Sequence, residues 1–211
     1  MPKITRSVEQ VDEVRDQILD CAFKILDKNG YENLSMAKIG LKMKMTAANL
    51  YNYYANKDEL LIAIHKKAFA MLYDKISYDV ERTDTPLDRL KTMANSFVEF
   101  GMHNISIYDI MFTRPLRQFS DYIGTPQEAL SSDEFRSSLK VLFYAVKIIN
   151  DYRKTRPDLD PVEPRLLTIQ TVSALHGIIS LHNSGTLRQI CDDQEFTIKT
   201  IIDSAIRCVT G

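Results

Sequence analysis

Residues 35–61 read SMAKIGLKMKMTAANLYNYYANKDELL, and the reading of this stretch decides the fold. Ser35 is placed to cap a short helix running to about Met43, and Thr46 a second running to about Tyr54. Asn56, with Glu59 three residues on, caps a third that extends to about Glu81. Short helices joined by tight turns form a helix-turn-helix unit. Leu41 to Met45 alternates like a strand, but no neighbouring segment offers a partner and an isolated strand is not stable. The alternation is therefore read as a helix end, a turn and the first residue of the next unit. Upstream, Ser7 with Gln10 forms a capping box, and Val11, Val14, Ile18, Ala22, Ile25 and Leu26 keep the spacing of one buried helical face. Asn29-Gly30 ends that helix, with glycine suited to the positive φ of a helix terminus.

The charge of the same segment is informative. Between Asn33 and Lys57 there are four lysines (38, 42, 44 and 57) and no acidic residue, a local charge of +4. The whole chain carries −1, so the remainder is net acidic. A basic helical unit on an acidic chain is the electrostatic footprint of a nucleic-acid reader, although a solvated lysine face would give the same sum. Residue types favour the reader. Thr46 caps the second helix, and Ala47 and Ala48 keep its first turn slim enough to enter a major groove. Asn49 and Asn52 share a face, and an Asn amide pairs bidentately with adenine. Tyr51 and Tyr53 are read as phosphate contacts and Tyr54 as core. Lys57 sits in the first turn of the next helix, where amide groups and a cation together suit a phosphate. Ser35 and Lys38 complete the candidate DNA-binding set.

Farther along, Thr85-Pro86 starts a helix to about His103, and Asn104 to Phe112 is a short helix stopped near Pro115. Residues 113–130 read as a loop with a broken turn, after which Ser131 and Glu134 cap a helix to about Lys154. Asp160 to Glu163 precede a helix ending by Gly185, and Asp192 with Glu195 starts a final one to about Val209. The expectation is an all-α chain of about nine helices, in keeping with only seven glycines and seven prolines among 211 residues. No acidic or basic residue occurs from Leu166 to Leu187, close to membrane-spanning length. That stretch holds Thr168, Gln170, Thr171, Ser173, His176, Ser180, His182, Asn183 and Ser184, too many polar groups for lipid. It reads instead as a helix buried on two sides within protein. With no apolar signal segment in Met1–Arg6 and three scattered cysteines (Cys21, Cys191, Cys208), the expected setting is a soluble, cytoplasmic protein without membrane contact.

The block resembles the DNA-binding domain of TetR-family transcriptional regulators over roughly residues 11–71. The marks are Ile18-Leu19, Gly30-Tyr31, Ser35, Ile39, Thr46, Leu50-Tyr51-x-Tyr53-Tyr54 and Asn56-Lys57-Asp58-Glu59-Leu60. Three features depart from the family pattern. Gly40 stands where Ala is usual, Lys44 where the turn has Gly, and Ala47-Ala48 where Lys-Gly is frequent. Tyr108 to Phe112 and Ala174 to Gly177 are similar to the C-terminal domain of a TetR subgroup in which Trp precedes His-Gly; here Leu175 holds that place. The resemblance implies a DNA-binding domain at 11–71 and a ligand-binding and dimerisation domain at 72–211. It also implies a homodimer on a pseudo-palindromic operator of double-stranded DNA, acting as a repressor released by a small-molecule effector.

Candidate effector contacts are Met102, His103, Tyr108, Met111, Phe112, Arg114, Phe143, Tyr144, Lys147 and His176, against the plain alternative that each aromatic or Met is core. Arg114 and Arg117 are candidates for an anionic group, or else a solvated pair. Val172, Leu175, Ile179, Ile198 and Ile202 are the candidate dimer contacts. His65, His103, His176 and His182 make no HxxxH or HExxH pair, and no P-loop, GxGxxG or GxSxG occurs, so neither a metal, a cofactor nor an enzyme is expected. The competing reading is a helical ligand-binding or scaffold protein that has lost specific DNA binding.

Overall fold

The computed structural model describes residues 7–211, so Met1–Arg6 lie outside the described residues. Ten α-helices and two 3₁₀ turns make up the described secondary structure, without a strand. The extra helix is the four-residue Leu187–Ile190, too short to leave a periodic pattern in the sequence.

Two compact units emerge. The first comprises residues 7–68 and 106–136, the second 69–105 and 137–211. In the first, α1 (Val8–Asn29) opens with a capping box: Ser7 Oγ accepts from the Gln10 amide, and Gln10 Oε1 from the Ser7 amide. α2 (Met36–Met43) and α3 (Ala47–Leu50) follow, and then α4 begins (Lys57–Val80, of which residues 57–68 belong here). Ile18, Ala22, Leu26, Ile39, Leu50, Leu60 and Ile64 are fully buried in the shared core, as the 3–4 spacing of their helices requires. Ile110 of α6 (Ile105–Phe112) closes the same core, with Leu116 packed against it. Residues 106–136 therefore join the N-terminal unit, although the sequence places them far downstream.

The start of α7 (Glu128–Lys154) corrects one expectation. Helix begins three residues before Ser131, which is 1% exposed instead of serving as a cap. The hydroxyl of Thr125 accepts from the Gln127 amide and is the local turn signal that replaces it.

The second unit contains α5 (Pro86–His103), α8 (Pro164–Asn183), α9 (Leu187–Ile190) and α10 (Gln194–Thr210), with α8 packed on α10 and α5. Thr85 caps α5 through the Asp88 amide, and Pro86 occupies its first position. Glu163, followed by Pro164, caps α8, and Asp193, one residue beyond the expected Asp192, caps α10. α8 turns Leu167, Thr168, Thr171, Leu175, Ile178 and Ile179 inward. The hydroxyls of Thr168 and Thr171 are satisfied by the carbonyls four residues back, which lets them lie in the core. No described helix is long and apolar enough to cross a membrane.

Candidate nucleic-acid interface

The helix-turn-helix is built by short-range polar contacts. Ser35 Oγ accepts from the Lys38 amide at 3.2 Å and Thr46 Oγ1 from the Asn49 amide at 3.2 Å, so both helices start on side-chain caps. Between them Lys44 adopts φ 54°, ψ 37°, the left-handed conformation that the family's glycine serves. It is the one non-glycine with positive φ among the described residues. The turn is closed by the Met45 amide donating to the Gly40 carbonyl at 2.8 Å. Gly40 itself is buried, and a Cβ there would stand 2.8 Å from the Met45 carbonyl oxygen. The alanine usual in the family does not fit this turn as it stands. Two departures from the family pattern are thus one structural feature.

Lys38, Thr46, Ala47, Tyr51, Asn52 and Lys57 are exposed, and Ser35 and Asn49 are half-buried. Helical hydrogen bonds continue past α3, with the amides of Tyr53 and Tyr54 both reaching the Leu50 carbonyl. This geometry corrects one residue. Tyr53, expected at the phosphates, is only 6% exposed and belongs to the core with Tyr54. Tyr54 lies under the Arg15 guanidinium, 4.6 Å from its ring centroid, and its hydroxyl reaches the Arg15 carbonyl at 3.4 Å. Burial pushes the Tyr54 phenol above its ordinary pKa. α4 starts on a reciprocal cap in which Asn56 Oδ1 accepts from the Glu59 amide and Glu59 Oε2 from the Ala55 amide.

Tyr31, one of the marks of the resemblance, takes a role that the sequence did not assign to it. Lys57 Nζ lies 4.8 Å and the Arg114 guanidinium 4.5 Å from its ring centroid, so one ring steadies the proposed phosphate anchor and a distant arginine together. Contacts this far apart in sequence leave no periodic or motif signal. Arg114, a candidate for an anionic ligand, is committed elsewhere: its Nε donates to Asp109 at 2.6 Å and its Nη1 to Glu32 at 2.7 Å. Arg117 likewise donates to Asp58 at 2.9 Å and to the Asp121 carbonyl at 2.7 Å.

The ten candidate effector residues divide between the units. Tyr108, Met111, Phe112 and Arg114 fall in the first; Met102, His103, Phe143, Tyr144, Lys147 and His176 fall in the second. Tyr108 is 1% exposed and its phenol is pushed up by burial, the mark of a core residue, whereas Phe143 is 61% exposed. The candidate dimer residues also need correction. Leu175, Ile179 and Ile202 are buried within the chain's own second unit, with Val172 and Ile198 half-buried. α8 exposes a different stripe, Leu166, Ile169, Ser173, Gly177 and Leu181. Among the described residues no group of three His, Cys, Asp or Glu side chains is arranged to hold a metal ion.

Comparison with known proteins agrees with the motif. Residues 18–64 match the family of bacterial regulatory proteins, tetR family. The chain is 25% identical over 93 residues to the fatty acid metabolism regulator protein of Bacillus subtilis, covering 43% of this chain and 48% of that one. The chain spans about half the length of the first curated relatives it matches. Among solved structures, a protein of unknown function from Rhodococcus sp. RHA1 superposes with a TM-score of 0.75 at 18% identity, covering 98% of this chain and 97% of that one. The transcriptional regulator FadR from Bacillus subtilis, in complex with stearoyl-CoA, superposes with a TM-score of 0.66 at 15% identity, covering 90% and 97%. These likenesses establish the fold, and three of the curated relatives are named as metabolic or transcriptional regulators. Residues 18–64, with their capped helix-turn-helix, are thus an N-terminal domain of the tetR family of bacterial regulatory proteins, carried on an all-helical fold.

Proposed function

We propose that this protein binds double-stranded DNA as a homodimer and represses transcription until a small, mainly apolar effector releases it. The observation that carries the DNA reading is the exposed, basic unit of residues 35–57, whose second helix starts with Thr46-Ala47-Ala48 and whose neighbour starts with Lys57. Asn49 and Asn52 read bases; Ser35, Lys38, Thr46, Tyr51 and Lys57 hold phosphates; and Ala47 gives close approach. The division of labour at 11–71 for DNA and 72–211 for effector and dimer follows the family. Its setting is the cytoplasm.

Dimerisation uses the uncharged stripe of α8 and the exposed Phe196 of α10 in a four-helix arrangement. Gly177 and Ser173 let a partner helix approach closely, and Leu166, Ile169 and Leu181 supply apolar area. Two such heads on a two-fold axis call for a pseudo-palindromic site with half-sites about 34–36 Å apart. The regulator FadR is solved with stearoyl-CoA, which makes an acyl thioester the first effector class to test here. Because α4 is one continuous helix from Lys57 to Val80, an effector acting on its later residues bears on the anchor at its start. Release requires that the effector prefer the displaced state; equal affinity for both states changes nothing.

Selection of bound DNA from a random pool, followed by titration of variants, tests the reading. Lys57→Ala is expected to weaken all sequences alike and lower the salt slope by about 1, while Asn49→Ala relaxes base preference by about 1–3 kcal/mol. An unchanged affinity and salt slope for Lys57→Ala would remove the phosphate role. A thermal-shift screen of acyl thioesters, repeated as DNA titrations, tests the effector.

A further inference from the structure

Within the first compact unit a cleft of about 170 Å³ opens beside the start of α4. Asp58, Leu61, Ile62 and His65, on one face of α4, form a wall, and Leu116 and Arg117 come from the loop after α6. Ser131 and Glu134 of α7 and the Tyr122 ring complete it. Drug-sized sites occupy roughly 300–1,000 Å³, so this cleft suits a molecule of about ten non-hydrogen atoms.

The charges in it select a sign. The Asp58 carboxylate is already paired with Arg117 at 2.9 Å. Glu134 is not matched in this way. Its side chain is 14% exposed, and its Oε1 stands 3.6 Å from His65 Nδ1, beyond hydrogen-bond reach. The other nitrogen of His65 is engaged with the Ile110 carbonyl at 2.8 Å, which requires the proton on Nε2. The basic group nearest this half-buried carboxylate is thus an imidazole already engaged with a carbonyl, and neither an arginine nor a lysine. The Tyr122 phenol is pushed up, first by burial and then by the charge of Asp58, so an added anion would meet the same opposing field. Leu61, Ile62 and Leu116 offer the apolar surface for the rest of a ligand.

We propose that this cleft binds a small organic cation: a primary amine whose ammonium pairs with Glu134 and whose short aromatic or branched body lies on Leu61, Ile62 and Leu116. Such an occupant also touches Tyr31, which lines the same cleft and holds Lys57 over its ring. The assignment rests on neither the C-terminal effector reading nor the DNA reading, and its test needs neither.

Calorimetry on the full chain without DNA tests it, using phenethylamine as the probe and phenylacetate and 2-phenylethanol as its anionic and neutral counterparts. The amine is expected to bind one per chain and to outbind both counterparts by about tenfold or more. Glu134→Gln, of equal size, should abolish that preference, and Glu134→Asp should restore part of it. Melting curves of each variant check folding, and phenethylamine should raise the melting temperature of the wild type and not that of Glu134→Gln. Equal binding of phenylacetate, full affinity in Glu134→Gln, or no heat from the amine at millimolar concentration would each overturn the assignment.

Discussion

The two compact units hold themselves together by different means. In the first, charged pairs tie segments far apart in sequence: Arg114 to Glu32, Arg117 to Asp58, Lys66 to Asp133 and Lys67 to Asp20. In the second, α8 has no charge between Leu166 and Leu187 and packs on α5 and α10 with Leu167, Leu175, Ile178 and Ile179 among its buried residues. Among the described residues, polar ties there are fewer across long separations: Lys75 bridges Asp79 and Glu99, Ser96 donates to Asp79, and Asn183 and Arg153 donate to the carbonyls of Gly101 and Val209. A unit whose surface is charged advertises which face of each helix is solvated. A helix uncharged all round does not, and its inner and outer faces are separated only by packing.

The sharpest way to break this contrast is to place a charge on each face of α8. Ile179→Asp buries an unpaired carboxylate at a fully buried position and is expected to cost about 3–5 kcal/mol, seen as a lost or strongly shifted thermal transition. Ile169→Asp, at a position 51% exposed, should leave the isolated fold within about 0.5 kcal/mol and, if the proposed dimer forms through this stripe, give a monomer by light scattering. If both variants melted alike, the two faces of α8 would not differ as described.

A smaller effect is expected in the first unit, where Gly40→Ala forces a Cβ against the Met45 carbonyl. The anticipated loss is about 1–3 kcal/mol in denaturant titration, and an unchanged midpoint would show that the turn shifts freely. Next comes the polar cluster of the second unit. Lys75 and then Ser96 hold the Asp79 carboxyl below its ordinary pKa. A depressed carboxyl stabilises the folded chain above the ordinary value near 3.9 and loses that contribution as pH falls through the lower folded value. Asp79→Asn should therefore cost about 1 kcal/mol at pH 7, partly screened at this half-exposed site, and nothing in strong acid. A gap that persisted at pH 2 would point to packing instead of charge. The smallest change runs the other way: Lys44→Gly relieves a left-handed residue and should stabilise by up to about 1 kcal/mol, read as a raised melting temperature.

Much of this organisation was legible in the sequence because it is local. The Ser7–Gln10 box, the Thr85-Pro86 start and the helix-turn-helix caps act over three residues, and Lys44 was marked by standing where a glycine is usual. What escaped is non-local or stops a period. After Leu50 the turns tighten, with the amides of Asn52 and Tyr53 reaching back three residues instead of four, so α-helical spacing no longer sorts the tyrosines and both Tyr53 and Tyr54 turn inward. Leu175 and Ile179 look like interface residues because α8 is apolar on two sides, and only its packing on α5 and α10 tells which side is which. The Tyr31 ring between Lys57 and Arg114, and the cleft beside it, depend on residues 106–136 returning to the N-terminal core.

The turn at Gly40 and Lys44 has a consequence for mutational history. The strain of one position and the crowding of the other meet at the Met45 backbone, so substitutions there are epistatic and not additive. Alanine at 40 is costly while Lys44 fixes the turn, and becomes cheaper once glycine at 44 gives the Met45 carbonyl room to rotate away. A lineage returning to the common family pattern therefore has a passable order, position 44 first and position 40 second. The reverse order leads through a less stable intermediate.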